Sequence, residues 1–258
     1  MLGAIAGDII GSSWEGSGEK RYDFPLFGKQ SRFTDDTVMT VAIAHALLDE
    51  RDYPEAMREY GLRYPFAGYG MRFGRWLADE SMGPYGSYGN GAAMRVSPVA
   101  WAMHSIDAVL EEAARSAAPT HNHPEGTKGA QAIALAVYLA RNAVEKEDIR
   151  REIASRFHYD LSRSVDEIRL RYLPDVTAAG SVPESMISFL DADSFEAAVR
   201  NAVSLGGDTD TMACMAGAIA EAYFGGVPAP IAREVETRLP TEFRRVIDRF
   251  CDRYGINS

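Results

Sequence analysis

The chain has 258 residues, 46% of them apolar and 25% charged, which suits an ordinary soluble globular protein with a substantial core in one large domain or two small ones. Its net charge of −10, with no face rich in Lys and Arg, argues against affinity drawn from nucleic-acid phosphates or anionic lipid, while a nucleotide-sized ligand stays compatible. Cys214 and Cys251 form no CxxC or Cys/His zinc spacing, and no basic leader or membrane-length apolar run is present, so a cytoplasmic setting is expected.

Leu2 to Gly11 is predicted to be a buried helix. Gly3, Gly7 and Gly11 recur at i, i+4, i+8 and leave one face almost bare. Glycine weakens a helix, so tight packing of a second helix is the reason to accept it. Asp8 lies among apolar neighbours, either as an acid behind a polar site or as a surface residue. Ser12 to Phe33 is a long glycine-rich connection of the kind that forms lids or binding loops. Glu15 at its start is a catalytic candidate, against the plainer reading of a solvated glutamate.

Thr34-Asp35-Asp36-Thr37 opens a helix to about Glu50, and Pro54 suits the first turn of another over Tyr53 to Tyr60. A turn-rich segment, Tyr64 to Gly70, precedes a helix from Phe73 to Ala78. Gly83 to Gly91 reads Gly-Pro-Tyr-Gly-Ser-Tyr-Gly-Asn-Gly. Such a loop exposes N–H groups, and Tyr85 or Tyr88 is placed to stack on a flat ring, although for the motif alone a plain structural turn is the better reading. It is neither a Walker A loop nor a Rossmann fingerprint.

Ser97-Pro98 reads as a cap and first helical position, and Ser105 to Ala118 as the next helix. His121-Asn122-His123 lacks a third zinc ligand at suitable spacing, and Pro124 marks a helix start. His121 is therefore read as a substrate contact, with capping as the alternative. Glu145 to Tyr172 is charged and helical, Ser181-Val182-Pro183-Glu184 opens a helix to about Leu190, and Ser194 to Leu205 forms another. Gly206-Gly207-Asp208-Thr209-Asp210-Thr211 then leads into the apolar Met212 to Phe224, and Ile231 to Tyr254 carries surface helices broken at Pro240. No sustained strand alternation occurs, so the fold is expected to be all-α and a single domain.

The two acidic stretches carry the chemistry. Each puts carboxylates and threonine hydroxyls where a mostly apolar helix begins, and buried carboxylates need compensation. Asp208 and Asp210, at i and i+2, converge only from a loop or first turn. Adjacent Asp35 and Asp36 diverge, which suits bridging two ions. Oxygen donors of this kind match Mg²⁺, Ca²⁺ or Mn²⁺. Helix N-capping is the alternative for either stretch alone.

Taken together, Gly7-Asp8 with Gly11 and Glu15, Thr34-Asp35-Asp36-Thr37, Ser87-Tyr88-Gly89-Asn90-Gly91 with Ala93-Met94-Arg95, Thr120-His121, Ser181-Val182-Pro183 and Ser204 to Thr211 occur in the order that resembles ADP-ribosylglycohydrolases. The resemblance spans nearly the whole chain, although the stretch between about Lys128 and Ser181 is short for the family. It implies an all-α, compact single domain over residues 1–258, an orthogonal helix bundle with a central dinuclear metal cleft. Two divalent ions, Mg²⁺ or Mn²⁺, would be held by Thr34, Asp35, Asp36, Asp208, Asp210 and Thr211. Substrate would meet Gly68, Tyr69, Gly70, Ser87, Tyr88, Gly89, Asn90, Gly91, Met94 and His121, with Glu15, Asp35 and Asp36 in catalytic roles. The implied reaction frees ADP-ribose from a modified protein side chain or a small adduct, with arginine, serine, O-acetyl-ADP-ribose and modified nucleic acid open as acceptors and the acidic surface disfavouring the last; a monomer with no membrane partner is expected. A silent ADP-ribose binder, a crystallin-like structural protein and a two-metal phosphohydrolase are the competing readings.

Overall fold

The structure, a computed structural model, describes residues 1–256. Its helices are α1 (Leu2–Gly11), α2 (Asp35–Asp49), α3 (Tyr53–Arg63), α4 (Met71–Ala78), α5 (Gly91–Met94), α6 (Ser97–Ala102), α7 (Ile106–Ala117) and α8 (Pro124–Arg141). They continue with α9 (Lys146–Phe157), α10 (Val165–Arg169), α11 (Ala178–Leu190), α12 (Phe195–Val203), α13 (Thr209–Phe224), α14 (Ala229–Arg238) and α15 (Thr241–Tyr254). Among the described residues there is no strand, only a single bridge between Gly89 and Thr177, and no helix is long and apolar enough to cross a membrane.

The spine of the bundle is the pair α1 and α13, and the glycines explain it. A Cβ on Gly3 would lie 2.4 Å from the Gly217 carbonyl oxygen, one on Gly7 2.0 Å from that of Ala213, and one on Gly11 2.3 Å from that of Thr209. Only hydrogen fits there, so the two backbones touch along three turns. Every residue of α1 is buried, as is α13 through Ala222, which is why both segments are apolar on all sides rather than along one stripe. Helices α2, α8, α11 and α12 surround this spine. The amphipathic α15 lays Phe243, Val246, Ile247 and Phe250 inward and keeps its charges outside.

Helix starts follow side-chain chemistry where a cap is present. Ser105 accepts from Ala108 N and Ser194 from Ala197 N, each satisfying a donor that the first turn leaves free. Ser105→Ala is expected to cost about 1 kcal/mol in urea denaturation without touching any activity, since Ser105 lies outside the cleft.

Three segments depart from the sequence reading. Ser97 is the first residue of α6 rather than its cap: it is buried, its hydroxyl has no partner, and the short α5 just upstream supplies the approach. Glu145 to Tyr172 is not one helical stretch. His158 takes a left-handed conformation that ends α9, and Ser164 starts α10 with a reciprocal capping box to Glu167. Helix α11 begins at Ala178, capped by Thr177, so Pro183 sits inside it rather than at its start. The proline withholds one N–H from the carbonyl four residues back, a local cost that burial of the surrounding turns offsets.

Candidate active site

Helix α1 brings the two acidic stretches together. Asp8, fully buried, accepts from Thr34 N at 2.9 Å, Thr34 Oγ1 at 2.7 Å, Thr37 N at 3.0 Å and the Thr37 hydroxyl. Four donors occupy its lone pairs, so Asp8 anchors the α2 turn from behind and has little left for a ligand. Three residues on, the Gly11 carbonyl accepts from Thr209 Oγ1 at 2.9 Å, which pins the α13 turn to the same helix. Gly206, at φ +69°, gives the reversal that aims Asp208 and Asp210 back at α2.

The carboxylates fall into two groups. Oxygens of Asp8, Asp36 and Asp210 lie within 4.8 Å of one another, and so do those of Glu15, Asp208 and Asp210. Asp210 is common to both, whereas spacing alone had suggested Asp35 and Asp36 as the bridging pair. Asp35 stands apart from these groups on the cleft wall, its Oδ1 3.4 Å from where a Gly68 Cβ would be. Threonine hydroxyls close the nest: Thr34 Oγ1 and Thr211 Oγ1 lie 3.3 and 3.2 Å from Asp36 Oδ2. Asn90 Nδ2 donates to Asp208 Oδ2 at 2.8 Å and to Ser181 Oγ at 3.2 Å, fixing that carboxylate.

The electrostatics call for a cation. Burial first, then Asp210, Asp8, Asp35 and Asp208, push Asp36 well above the usual carboxylate range, and every charge acting on it is another acid. Burial and then Asp208 do the same to Asp210. Asp35 is pushed up to about 7 by burial and then by Asp8, and Asp8 to about 6 by burial against the pull of its hydrogen bonds. Glu15 is raised by partial burial and by Asp208, with Arg32 pulling the other way. Asp36 Oδ1 is buried without any donor. Thr34 Oγ1 spends its one proton on the closer Asp8, so toward Asp36 it presents a lone pair. Oxygen facing oxygen in a buried nest fits hard divalent ions.

These groups carry a pH signature. Folded Asp35 and Asp8 hold their protons to higher pH than unfolded ones, so the folded state binds more protons. With EDTA present, their contribution to stability is therefore expected to be full below the unfolded carboxylate value of about 4 and to be lost as pH rises through about 6 to 7. A difference in melting temperature between the native chain and Asp35→Asn that instead rises across this window would contradict the electrostatics.

The nest opens into a cleft of about 320 Å³. Glu15, Asp35, Asp36, Asp208, Asp210 and Thr211 line it, and Gly68 and Gly70 line it too, Gly68 beside Asp35. Ser87, Gly89, Asn90, Gly91, Met94 and His121 complete the lining, with Asn90 against Asp208 and Met94 against Thr211. Three expected site residues are not on the cleft wall. Thr34 reaches the nest from behind Asp36, Tyr69 packs on Phe73 with its hydroxyl buried and unpartnered, and the half-exposed Tyr88 leans on His123. Tyr85 is the loop tyrosine that lines the cleft, with the Arg72 guanidinium 5.1 Å from its ring centroid. Sequence reasoning assigned no role to Arg72, Arg95, Met39, Phe73 or Val176, which also line it. Of these only Arg95 stood in a motif.

A cleft lined by buried acids, by the arginines Arg72 and Arg95 and by a glycine-rich loop is one that could hold divalent ions beside an anionic ligand. Residues 1–257 match the family model described as ADP-ribosylglycohydrolase, and the chain belongs to that family. It is similar to the ADP-ribosylhydrolase ARH3 of Danio rerio, 27% identical with 97% of this chain and 90% of that protein covered. It is also similar to the ADP-ribosylarginine hydrolase Tri1 of Pseudomonas putida (strain GB-1), 25% identical over 88% of this chain and 71% of that protein. Among solved structures it matches an ADP-ribosylglycohydrolase-related protein complex, with a TM-score of 0.72 and 26% identity, covering 100% of this chain and 97% of that one. The helical architecture expected from the residues is thus that of the family.

Proposed function

We propose that the protein hydrolyses the glycosidic bond between ADP-ribose and an acceptor, with two divalent ions, Mg²⁺ or Mn²⁺, held by Asp35, Asp36, Asp208, Asp210, Thr34 and Thr211. The observation that carries this reading is the partnerless Oδ1 of Asp36 among buried carboxylates in a cleft that Arg72 and Arg95 also line. A substrate that carries both a diol and a diphosphate suits such a lining. The names of the relatives, ADP-ribosylhydrolase and ADP-ribosylarginine hydrolase, support the same chemistry.

Ions in this nest would supply Lewis-acid stabilisation of charge developing on oxygen at the reacting sugar. The chain itself does the rest. Asn90 and Ser181 hold Asp208 in one orientation, and Asp8 holds the α2 turn, so the donors meet substrate without rearranging. Asp35, on the cleft wall beside the two acid groups, would both bind metal and orient a water toward the anomeric carbon as the bond to the acceptor breaks. Glu15, exposed at the mouth, exchanges the proton with solvent or helps to close the site.

The test is incubation with ADP-ribosyl-arginine, ADP-ribosyl-serine peptide and O-acetyl-ADP-ribose, with Mg²⁺ and then with EDTA, reading products by mass spectrometry. Free ADP-ribose that disappears with EDTA is the expected result and names the acceptor class. AMP would overturn it in favour of a phosphohydrolase, and no product alongside Mg²⁺-dependent ADP-ribose binding would leave a silent binder or an acceptor outside these three.

A further inference from the structure

Arg95, in the cleft lining, begins a hydrogen-bond chain to which the proposed reaction gives no role. Arg95 is 1% exposed, an unusual place for a charge. Both of its hydrogen bonds leave from Nη2, to the Ser116 carbonyl at 3.2 Å and to Thr120 Oγ1 at 2.9 Å, and neither goes to a carboxylate. Its Nε has no partner.

Thr120 Oγ1 also lies 2.7 Å from Nδ1 of the buried His121. A threonine hydroxyl carries one proton and two lone pairs, and arginine accepts none. Arg95 donates to Oγ1, so the hydroxyl proton has one remaining partner, His121 Nδ1; a proton on Nδ1 instead would make Oγ1 accept twice and strand its own buried proton. Nδ1 is then the bare, accepting nitrogen, and a neutral ring carries its proton on Nε2. Nε2 faces the loop wall of the cleft: a Cβ on Gly91 would lie 3.0 Å from it and one on Gly89 3.8 Å. The backbone holds the ring there, because His121 N donates to the Ala117 carbonyl at 2.8 Å and the His121 carbonyl accepts from Thr127 Oγ1 at 3.1 Å. Thr120 is joined to the loop as well, its carbonyl accepting from Ser87 N at 3.1 Å.

We propose that Arg95 and Thr120 are positioning residues that lock His121 in the Nε2–H tautomer, so that the cleft wall at His121 offers a fixed, neutral N–H donor to a phosphate oxygen of the bound ligand. The assignment of a phosphate rests on the ADP-ribose reading; the relay does not. An acceptor-only group suits a site where a locked donor and an unpaired guanidinium face the same space. Burial, then the Arg95 charge, hold the His121 pKa well below its usual value, so the ring stays neutral at physiological pH.

The test is a long-range ¹H–¹⁵N correlation on ¹⁵N-histidine-labelled protein, with and without ADP-ribose. The expected spectrum shows His121 neutral near pH 7, with protonated Nε2 and bare Nδ1, and Nε2 shifting when ADP-ribose is added. Thr120→Val removes the hydroxyl at nearly constant volume. It should redistribute the tautomers and weaken ADP-ribose binding about tenfold, the loss of one hydrogen bond to a charged oxygen, and Thr120→Ser should restore both. A proton on Nδ1 in the unmodified protein overturns the relay without need of any variant. So does a tautomer unchanged in Thr120→Val. An Nε2 that ignores ADP-ribose overturns the phosphate assignment. Loss of the glycohydrolase reading alone would show as no free ADP-ribose released while the tautomer signals stay as expected.

Discussion

Asp36→Asn is expected to eliminate turnover and, in EDTA at neutral pH, to raise the melting temperature. The two effects have one cause. Asp36 is 1% exposed, its Oδ1 has no donor, and the charges around it are all carboxylates. Without a cation, ionising it costs both desolvation and repulsion, and protein folded at neutral pH bears that cost. An amide of the same shape removes the charge. A gain of about 1–3 kcal/mol is expected, the range for relieving a buried uncompensated polar group, or roughly 2–4 °C per kcal/mol in a chain of this size. Adding Mg²⁺ should reverse the ranking, because the native site gains an ion that binds only the folded state, worth about 2.7 kcal/mol at a hundredfold excess over Kd. Turnover should fall about a thousandfold or more, since a catalytic cation contributes several kcal/mol of charge stabilisation and each 1.4 kcal/mol is tenfold. Scanning fluorimetry in EDTA and in Mg²⁺, beside a product assay, reads both effects. A variant that melts lower than the native chain in EDTA, or that keeps its turnover, would remove Asp36 from the metal site.

How far the residues alone disclose this site depends on how local each signal is. The bare face of α1 is legible because three glycines at helical spacing have no other use, and the starts of α7 and α12 because Ser105 and Ser194 bond within their own first turn. Both acidic turns are legible for the same reason. The start of α11 is not, because Pro183 imitates a first-turn proline while the true cap, Thr177, lies six residues earlier. Nor can spacing reveal Asp8 as the anchor of the α2 turn: its partners are 26 and 29 residues away, and only packing of α1 brings them in. In the glycine loop, Tyr85 and Tyr88 are equivalent on paper. Gly86, at φ +66°, turns the chain between them and leaves Tyr85 in the cleft and Tyr88 outside it. Arg95 belongs to a recognisable motif, but its burial and its unpaired Nε are properties of the assembled core.

The spine yields the other large effect. Gly7→Ala is expected to cost about 3 kcal/mol or more, at the upper end of what overpacking a core costs, and Gly7→Val to leave little folded protein. The Cβ would sit 2.0 Å from the Ala213 carbonyl oxygen, 2.3 Å from the Ala213 carbonyl carbon and 2.7 Å from Cys214 N. All three are backbone atoms inside α13, so no side chain can swing aside. Relief requires α1 and α13 to separate by on the order of 1 Å to restore ordinary contact distances, and that gap must extend along Gly3 and Gly11, which are packed as closely. Separation also reaches the site. The Thr209 hydroxyl is bonded to the Gly11 carbonyl and the α2 turn to Asp8, so moving α1 off α13 pulls the two acidic stretches apart. Any Gly7→Ala protein that folds should therefore lose metal affinity as well as stability. Gly74→Ala is the control. It lies within α4, and a Cβ there would meet nothing within 4 Å. It should be neutral or stabilising by about 0.4–1 kcal/mol through the unfolded chain. Urea denaturation followed by circular dichroism separates the two substitutions. If Gly7→Ala falls within about 0.5 kcal/mol of the native chain, the size of an ordinary surface substitution, backbone contact between α1 and α13 is not what holds the bundle together.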